Sequence, residues 1–310
     1  YAGVIATVAY NLIASILRAL GDSKTPLYFL IISSVLNVIL DLVFIINFNM
    51  GVAGAAYATI ISQAVSAILC LIYTYKKFTI LRLKREDFNV KKRYYHKHLK
   101  IGIPMALQFS ITAIGIMTVQ GALNVFGSTI IAAYTAASKA LQLVMQPAIT
   151  FGVTMATYCG QNLGAKEYNR IKEGVKACTK ISIITSIIAG AVLIFLGKYF
   201  VMMFISNPDV EILKYAQQVL DISAIFFIPL GLIFIYRNAL QGIGDSFVPM
   251  MAGAYELIAR AIVAFTLPQY IGFFGICLAD PVAWLAASIP LGITYFKRIK
   301  HLLKHGTIKV

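Results

Sequence analysis

Nine long apolar runs, separated by short polar or basic stretches, leave this chain a single solvent to fold in. They cover about residues 1–19, 26–47, 51–75, 101–126, 129–158, 178–197, 215–240, 247–269 and 272–296. Each meets or nearly meets the roughly 20 residues a helix needs to cross a bilayer. Composition agrees: 59% of the 310 residues are hydrophobic and 13% are charged. The mean hydropathy is +0.81. Soluble domains carry about 25% charge, so a chain of this length has no way to hide so much apolar surface from water. In hydrocarbon every backbone polar group must be bonded within the chain, which leaves helices and closed barrels. Runs of this length are helices rather than the ~10-residue alternating strands of a barrel. The expected fold is an all-α polytopic membrane protein.

The chain also repeats itself. Gly21-Asp22-Ser23-x-x-Pro26 returns as Gly244-Asp245-Ser246-x-x-Pro249, each time at the end of an apolar run. Leu17 matches Leu240, and Gly51-x-x-Gly54 matches Gly272-x-x-Gly275. The offset is 223 residues at the first motif and 221 at the second, a two-residue gap. Six spans separate equivalent points, and an even number gives the two copies the same orientation in the membrane. The repeat unit is then six helices. Residues 1–75 supply the last three helices of one lobe, 76–98 a basic linker, and 99–310 a complete second lobe and tail. On this reading three helices precede Tyr1 in a twelve-helix protein of two pseudo-symmetric six-helix bundles.

Charge placement orients the spans. Apart from Lys139, Lys198, Lys214 and Arg260, all 27 Lys and Arg residues fall on alternate loops. Ten lie in 76–100, five in 160–180 and five in the tail from Lys297 to Lys309, with Arg18, Lys24 and Arg237 beside the Gly-Asp-Ser turns. Lys and Arg mark the cytoplasmic side, so the linker and C-terminus are expected there. The formal charge of +15 reads as this bias, with contact to anionic lipid, rather than as a nucleic-acid surface. Cys70, Cys159, Cys178 and Cys277 lie in or beside spans without metal spacing and read as small apolar fillers. His96, His98, His301 and His305 sit in basic segments as solvated groups.

Four stretches carry a family resemblance: Leu17-Arg18-Ala19-Leu20-Gly21-Asp22-Ser23-Lys24-Thr25-Pro26, its echo in the second half, Gly102-Ile103-Pro104, and Gly160-Gln161-Asn162-Leu163-Gly164-Ala165. In this order they resemble the multidrug and toxic compound extrusion (MATE) transporters, in a DinF-like bacterial branch, from the fourth helix to the twelfth. The resemblance implies a monomeric, multi-pass protein of the plasma membrane. It implies export of amphipathic, often cationic compounds in exchange for H⁺ or Na⁺, with no other cofactor.

Ionisable groups inside spans are costly unless paired or hydrated, so each is a functional candidate. In the first lobe Asp41 lies about six residues from the outer end of its span, with Asn37 one turn deeper on the same face and Ser33 a further turn down. Thr59, Gln63 and Asn11 fall at similar depth on neighbouring spans. A carboxylate among amide and hydroxyl oxygens suits Na⁺ coordination or proton binding. The competing reading makes Asn11, Asn37 and Thr59 interhelical glue. The resemblance favours the first: an Asn and an Asp four apart on the fifth helix belong to the cation site of the archaeal and DinF-like branches, and Asn37 and Asp41 fit them. Thr59 fits a sixth-helix member of that site.

In the second lobe Lys139, Glu256, Arg260 and Asp280 lie at similar depth, two positive and two negative charges. Glu256 and Arg260, four apart, suit an intrahelical pair. The group reads either as a packing network or as a second responsive site. NorM-type members carry a seventh-helix Glu and a tenth-helix Asp; the matching positions here are Thr112 and Leu230, so that second-lobe Na⁺ site is missing. Pro104, Pro147, Pro229, Pro281 and Pro290 permit bending, and Gly102, Gly115, Gly152 and Gly231 suit either hinges or close packing. Residues 160–176 read as a cytoplasmic turn followed by an interfacial helix.

No Walker-type loop, His-Glu-x-x-His, Cys-x-x-Cys or Gly-x-Ser-x-Gly occurs, which argues against ATP drive and hydrolytic chemistry. The reading is a cation-coupled antiporter, not an enzyme. A lipid-linked oligosaccharide flippase and a non-transporting membrane protein are the alternatives. The flippase would need a cationic cavity, whereas here acids offset Lys139 and Arg260.

Overall fold

The computed structural model describes residues 3–82, 84–205 and 208–306. Tyr1, at the start of the first expected span, and Lys309, counted in the basic tail, lie outside the described residues. The described chain is helical, with no strand among these residues. It divides into two compact units, Tyr1–Lys91 and Lys92–Val310.

The first unit holds α1 (Val4–Ala19), α2 (Lys24–Leu42) and α3 (Gly51–Lys77). Both α1 and α2 pack on α3. Small residues and hydroxyls let α2 and α3 approach. Ser33 donates to the Ser62 carbonyl at 2.7 Å and Ser66 to the Phe29 carbonyl at 3.3 Å. Such hydroxyl bonds join helices where lipid offers no hydrophobic drive. A π-turn over Val43–Asn47 extends α2 directly after Asp41.

The second unit holds α4 (Lys92–Leu123), α5 (Ser128–Val144), α6 (Gln146–Gly164), α7 (Tyr168–Met202), α8 (Val210–Ile225), α9 (Phe227–Gly242), α10 (Phe247–Thr266), α11 (Pro268–Ile271), α12 (Phe273–Cys277) and α13 (Ala279–His305). Helix α9 is central, packed on α6, α7 and α13, while α10 lies between α4 and α13.

Among the described residues, six segments are long and apolar enough to cross a membrane, and a seventh if α8 and α9, bent by 56°, form one span. The expected span at 129–158 is two helices that meet at Met145, with Pro147 in the first turn of the second. Proline is tolerated there because the amides of a first turn have no intrahelical partner. Pro229 and Pro281 likewise stand just after the breaks at Phe226 and Leu278.

Two boundaries differ from the sequence reading. Helix α4 starts at Lys92, not at 99, and the connection from α3 is short, with 3₁₀ turns at Thr79–Leu81 and Arg85–Phe88. The separate interfacial helix expected in 160–176 does not exist. The turn is confined to 165–167, and α7 then runs unbroken for 35 residues. Its buried stripe passes through Ile171, Val175, Cys178, Ser182 and Ser186 without a change of face, so the amphipathic stretch is the first part of a long helix.

Candidate functional site

The Gly-Asp-Ser repeat is a repeat in geometry. Gly21 and Gly244 have φ of 90° and 92°, a left-handed backbone open to glycine. In each, the following Asp amide donates back to a leucine carbonyl five residues earlier, Asp22 to Leu17 and Asp245 to Leu240, both at 2.9 Å. These are helix-ending bonds of the Schellman type. The carboxylates then start the next helix. Asp22 accepts from the Thr25 amide at 3.1 Å, and Asp245 from the Val248 amide at 3.3 Å. Each also holds a cation on the last α-helix of its unit: Lys77 Nζ of α3 at 3.3 Å and Arg298 Nε of α13 at 2.9 Å. Lys77 and Arg298 stand 221 apart, in register with the second glycine motif. Burial alone raises the Asp22 carboxyl pKa. The bonds from the Thr25 amide, Tyr73, the Thr25 hydroxyl and Lys77 outweigh it and lower the value to about 2.

Asp41 and Asn37 share one face of α2, and both are partly buried. Asp41 Oδ1 and Asn37 Nδ2 are buried without a hydrogen-bond partner, as is Gln63 Oε1 on α3. Gln63, which the sequence placed at this depth without a role, is thus a further unpartnered polar group on the neighbouring helix. Asn11 and Thr59 do not join them. Both are exposed, and each bonds its own helix, Asn11 to the Thr7 carbonyl and Thr59 to the Ala55 carbonyl, both at 2.9 Å.

The second unit contains a cavity of about 480 Å³. All four charged residues picked from the sequence line it, but their pairing differs from the expected one. Glu256 pairs with Arg237 of α9, not with Arg260 on its own helix. Arg260 Nε donates to Asp280 Oδ1 at 2.7 Å, and Tyr134 OH donates to Asp280 Oδ2 at 3.1 Å. The Arg260 guanidinium fits because Gly115 of α4 has no side chain: a Cβ there would fall on Nη1. Gly152 and Gly231 likewise face close neighbours, Asn238 and Ser182, which makes these three glycines sites of close packing. Lys139 belongs to no ion pair among the described residues. The expected offset of Lys139 by an acid therefore fails, because Arg237 takes the carboxylate. Sequence reasoning had set Arg237 beside the turn with Arg18. At the 223 offset Arg18 matches Gln241 and Arg237 matches Ala14, so Arg237 sits a helical turn deeper. Thr112 and Leu230, the positions lacking a second-lobe acid, also line this cavity.

Two family models match the chain. "MatE" covers residues 101–266 and "Lipid II flippase MurJ" covers residues 1–91. Two proteins of Bacillus subtilis described as probable multidrug resistance proteins are similar in sequence. YpnP is 32% identical over 79% of this chain and 54% of its own length, and YoeA 27% identical over 93% and 64%. The chain thus spans a little over half to somewhat under two thirds of these relatives. A solved structure described as the outward-facing conformation of a multidrug resistance MATE family transporter superimposes with a TM-score of 0.91. It is 21% identical, over 97% of this chain and 68% of that one. The chain belongs to the MATE family, a family of membrane transporters rather than enzymes.

Proposed function

We propose that the protein exports amphipathic organic compounds across the cytoplasmic membrane by alternating access, in exchange for H⁺ or Na⁺ bound at Asp41. It acts as a monomer, with the linker and C-terminus in the cytoplasm. The observation that carries this reading is a carboxyl oxygen of Asp41 buried without a partner in a membrane-spanning helix, beside the unpartnered Asn37 amide. A carboxyl oxygen left without a partner in an apolar span suits a group that takes up and releases a cation during the cycle. Ion binding there favours one conformation of the first lobe, and substrate release follows from that shift. The similarity to proteins described as multidrug resistance proteins supports the substrate class.

The test is ethidium export by cells expressing the full-length protein, with Asp41→Asn and Asn37→Ala at matched expression. Asp41→Asn is expected to abolish export and Asn37→Ala to weaken it. Undiminished export by Asp41→Asn would overturn the coupling role. Vesicles driven by a pH gradient or by a Na⁺ gradient separate the two ions.

A second reading, flipping of a lipid-linked oligosaccharide, is favoured by the flippase model matching residues 1–91 and by the unpaired Lys139. Translocation of a pyrophosphate-linked lipid without ethidium export would support it.

A further inference from the structure

The cavity of the second unit carries more positive than negative charge. Its charged residues are Lys139, Arg237 and Arg260 against Glu256 and Asp280. Both carboxylates are engaged, Glu256 by Arg237 and Asp280 by Arg260 and Tyr134. The positive charge of Lys139 is left over; its Nζ stands 5.8 Å from the centre of the Phe204 ring. Two further donors are unfilled: Arg237 Nε and Arg260 Nη1 are buried without acceptors. Their side chains line the cavity, and the two residues are 8% and 3% exposed. Two unfilled donors and one surplus cation at membrane depth call for an acceptor that carries charge. Phe109, Ile116, Leu230 and Trp284 give the cavity an apolar stretch of wall, beside uncharged polar residues such as Gln120 and Ser138. The volume falls within the roughly 300–1,000 Å³ of ligand pockets.

We propose that this cavity binds an organic oxyanion, a carboxylate or phosphate ester whose charge meets Lys139 and whose apolar body lies against the Trp284 wall. The site would give the exporter proposed above a class of anionic or zwitterionic substrate. Its significance rests on that reading, but binding is measurable without transport.

Trp284 is the chain's single tryptophan and lines the cavity, so its fluorescence reports occupancy of this site. The whole chain in detergent is titrated with benzoate, phenyl phosphate, benzylammonium and benzyl alcohol. Benzoate or phenyl phosphate is expected to change Trp284 emission saturably. The neutral and cationic analogues should bind about tenfold more weakly, the size of one charge-assisted hydrogen bond. Lys139→Ala should weaken the oxyanions by about the same factor, with benzyl alcohol unaffected, and Lys139→Arg should restore them. Lys139 is exposed and unpaired, so neither variant threatens the fold. Comparing benzoate with phenyl phosphate decides between carboxylate and phosphate. No saturable change with either oxyanion, equal binding of all four compounds, or unaltered binding by Lys139→Ala would overturn the proposal. Loss of export by Asp41→Asn bears on the exporter reading alone.

Discussion

Arg237 and Glu256 are 8% and 4% exposed, so removing one leaves a largely buried charge unpaired. Glu256→Gln should strand the guanidinium and destabilise the second unit by about 3–5 kcal/mol. Thermal unfolding in detergent reads this. The double variant Arg237→Met/Glu256→Met should recover most of the loss, since removing a buried pair together costs far less than breaking it. A different residue, Asp22, makes stability depend on pH. Its folded pKa of about 2 lies below the ordinary 3.8, so the ionised carboxylate favours the folded state. That contribution is complete above pH 4 to 5 and is lost as pH falls toward 2. The stability gap between the protein and Asp22→Asn should hold constant from pH 7 to 5 and close below 4; a gap unchanged at pH 3 would contradict it. At this scale the sequence revealed which residues mattered better than how they pair. Glu256, Arg260 and Asp280 stood out because charge in an apolar run is costly. Their partners lie on other helices, and the helical spacing of 256 and 260 suggested a bond that Arg237 and Asp280 compete away.

The helices show why the repeat was so readable. A helix that must end within one turn and restart needs a left-handed residue and a capping acceptor, and few residue types supply them. Gly244 has no atom within 4 Å of the position a Cβ would take, so substitution there tests backbone conformation alone. Gly244→Ala should cost about 1–2 kcal/mol, read as a lower unfolding temperature with the cavity's ligand binding unchanged. Gly21→Ala, with φ of 90° and equally open surroundings, should do the same. Carried onward, the 223 offset sets Asn37 against Arg260 and Asp41 against Ala264, and the 221 offset sets Thr59 against Asp280. The same two positions hold an amide and a hydroxyl in the first unit and an ion pair in the second. The acid at the site, Asp41, is therefore an addition to the repeat and not part of it. Helix joints were less legible. The break at Met145 follows from Pro147, but the continuity of α7 through the charged stretch 168–180 rests on packing against neighbours, which a local polar pattern does not reveal.

Over the whole molecule, the all-helical architecture was legible because lipid restricts it to helices and closed barrels, and long apolar runs select the helix; the side each loop takes is what Lys and Arg predict. Relations across the chain, such as Lys77 on Asp22 or Arg298 on Asp245, were not legible, because they join residues 55 and 53 apart. The orientation can be tested directly. Cys70, Cys159, Cys178 and Cys277 are buried, so the chain as it stands should react little with a membrane-impermeant maleimide. Ile80 lies in the basic connection between the units, and Lys304 near the end of α13. Tyr270 lies in α11, just beyond the C-terminal end of α10 and before the turn at Gly272. Ile80 and Tyr270 are 82% and 83% exposed, and Lys304 is exposed as well, so cysteines placed there are reachable on whichever side they face. In intact cells Tyr270→Cys should be labelled, while Ile80→Cys and Lys304→Cys should be labelled only after permeabilisation. Labelling of Ile80→Cys from outside would invert the charge-based orientation. Labelling of Ile80→Cys and Lys304→Cys from opposite sides would mean an odd number of crossings between them. The second unit would then cross the membrane a different number of times than its six apolar runs require, and the six-helix repeat would fail with it.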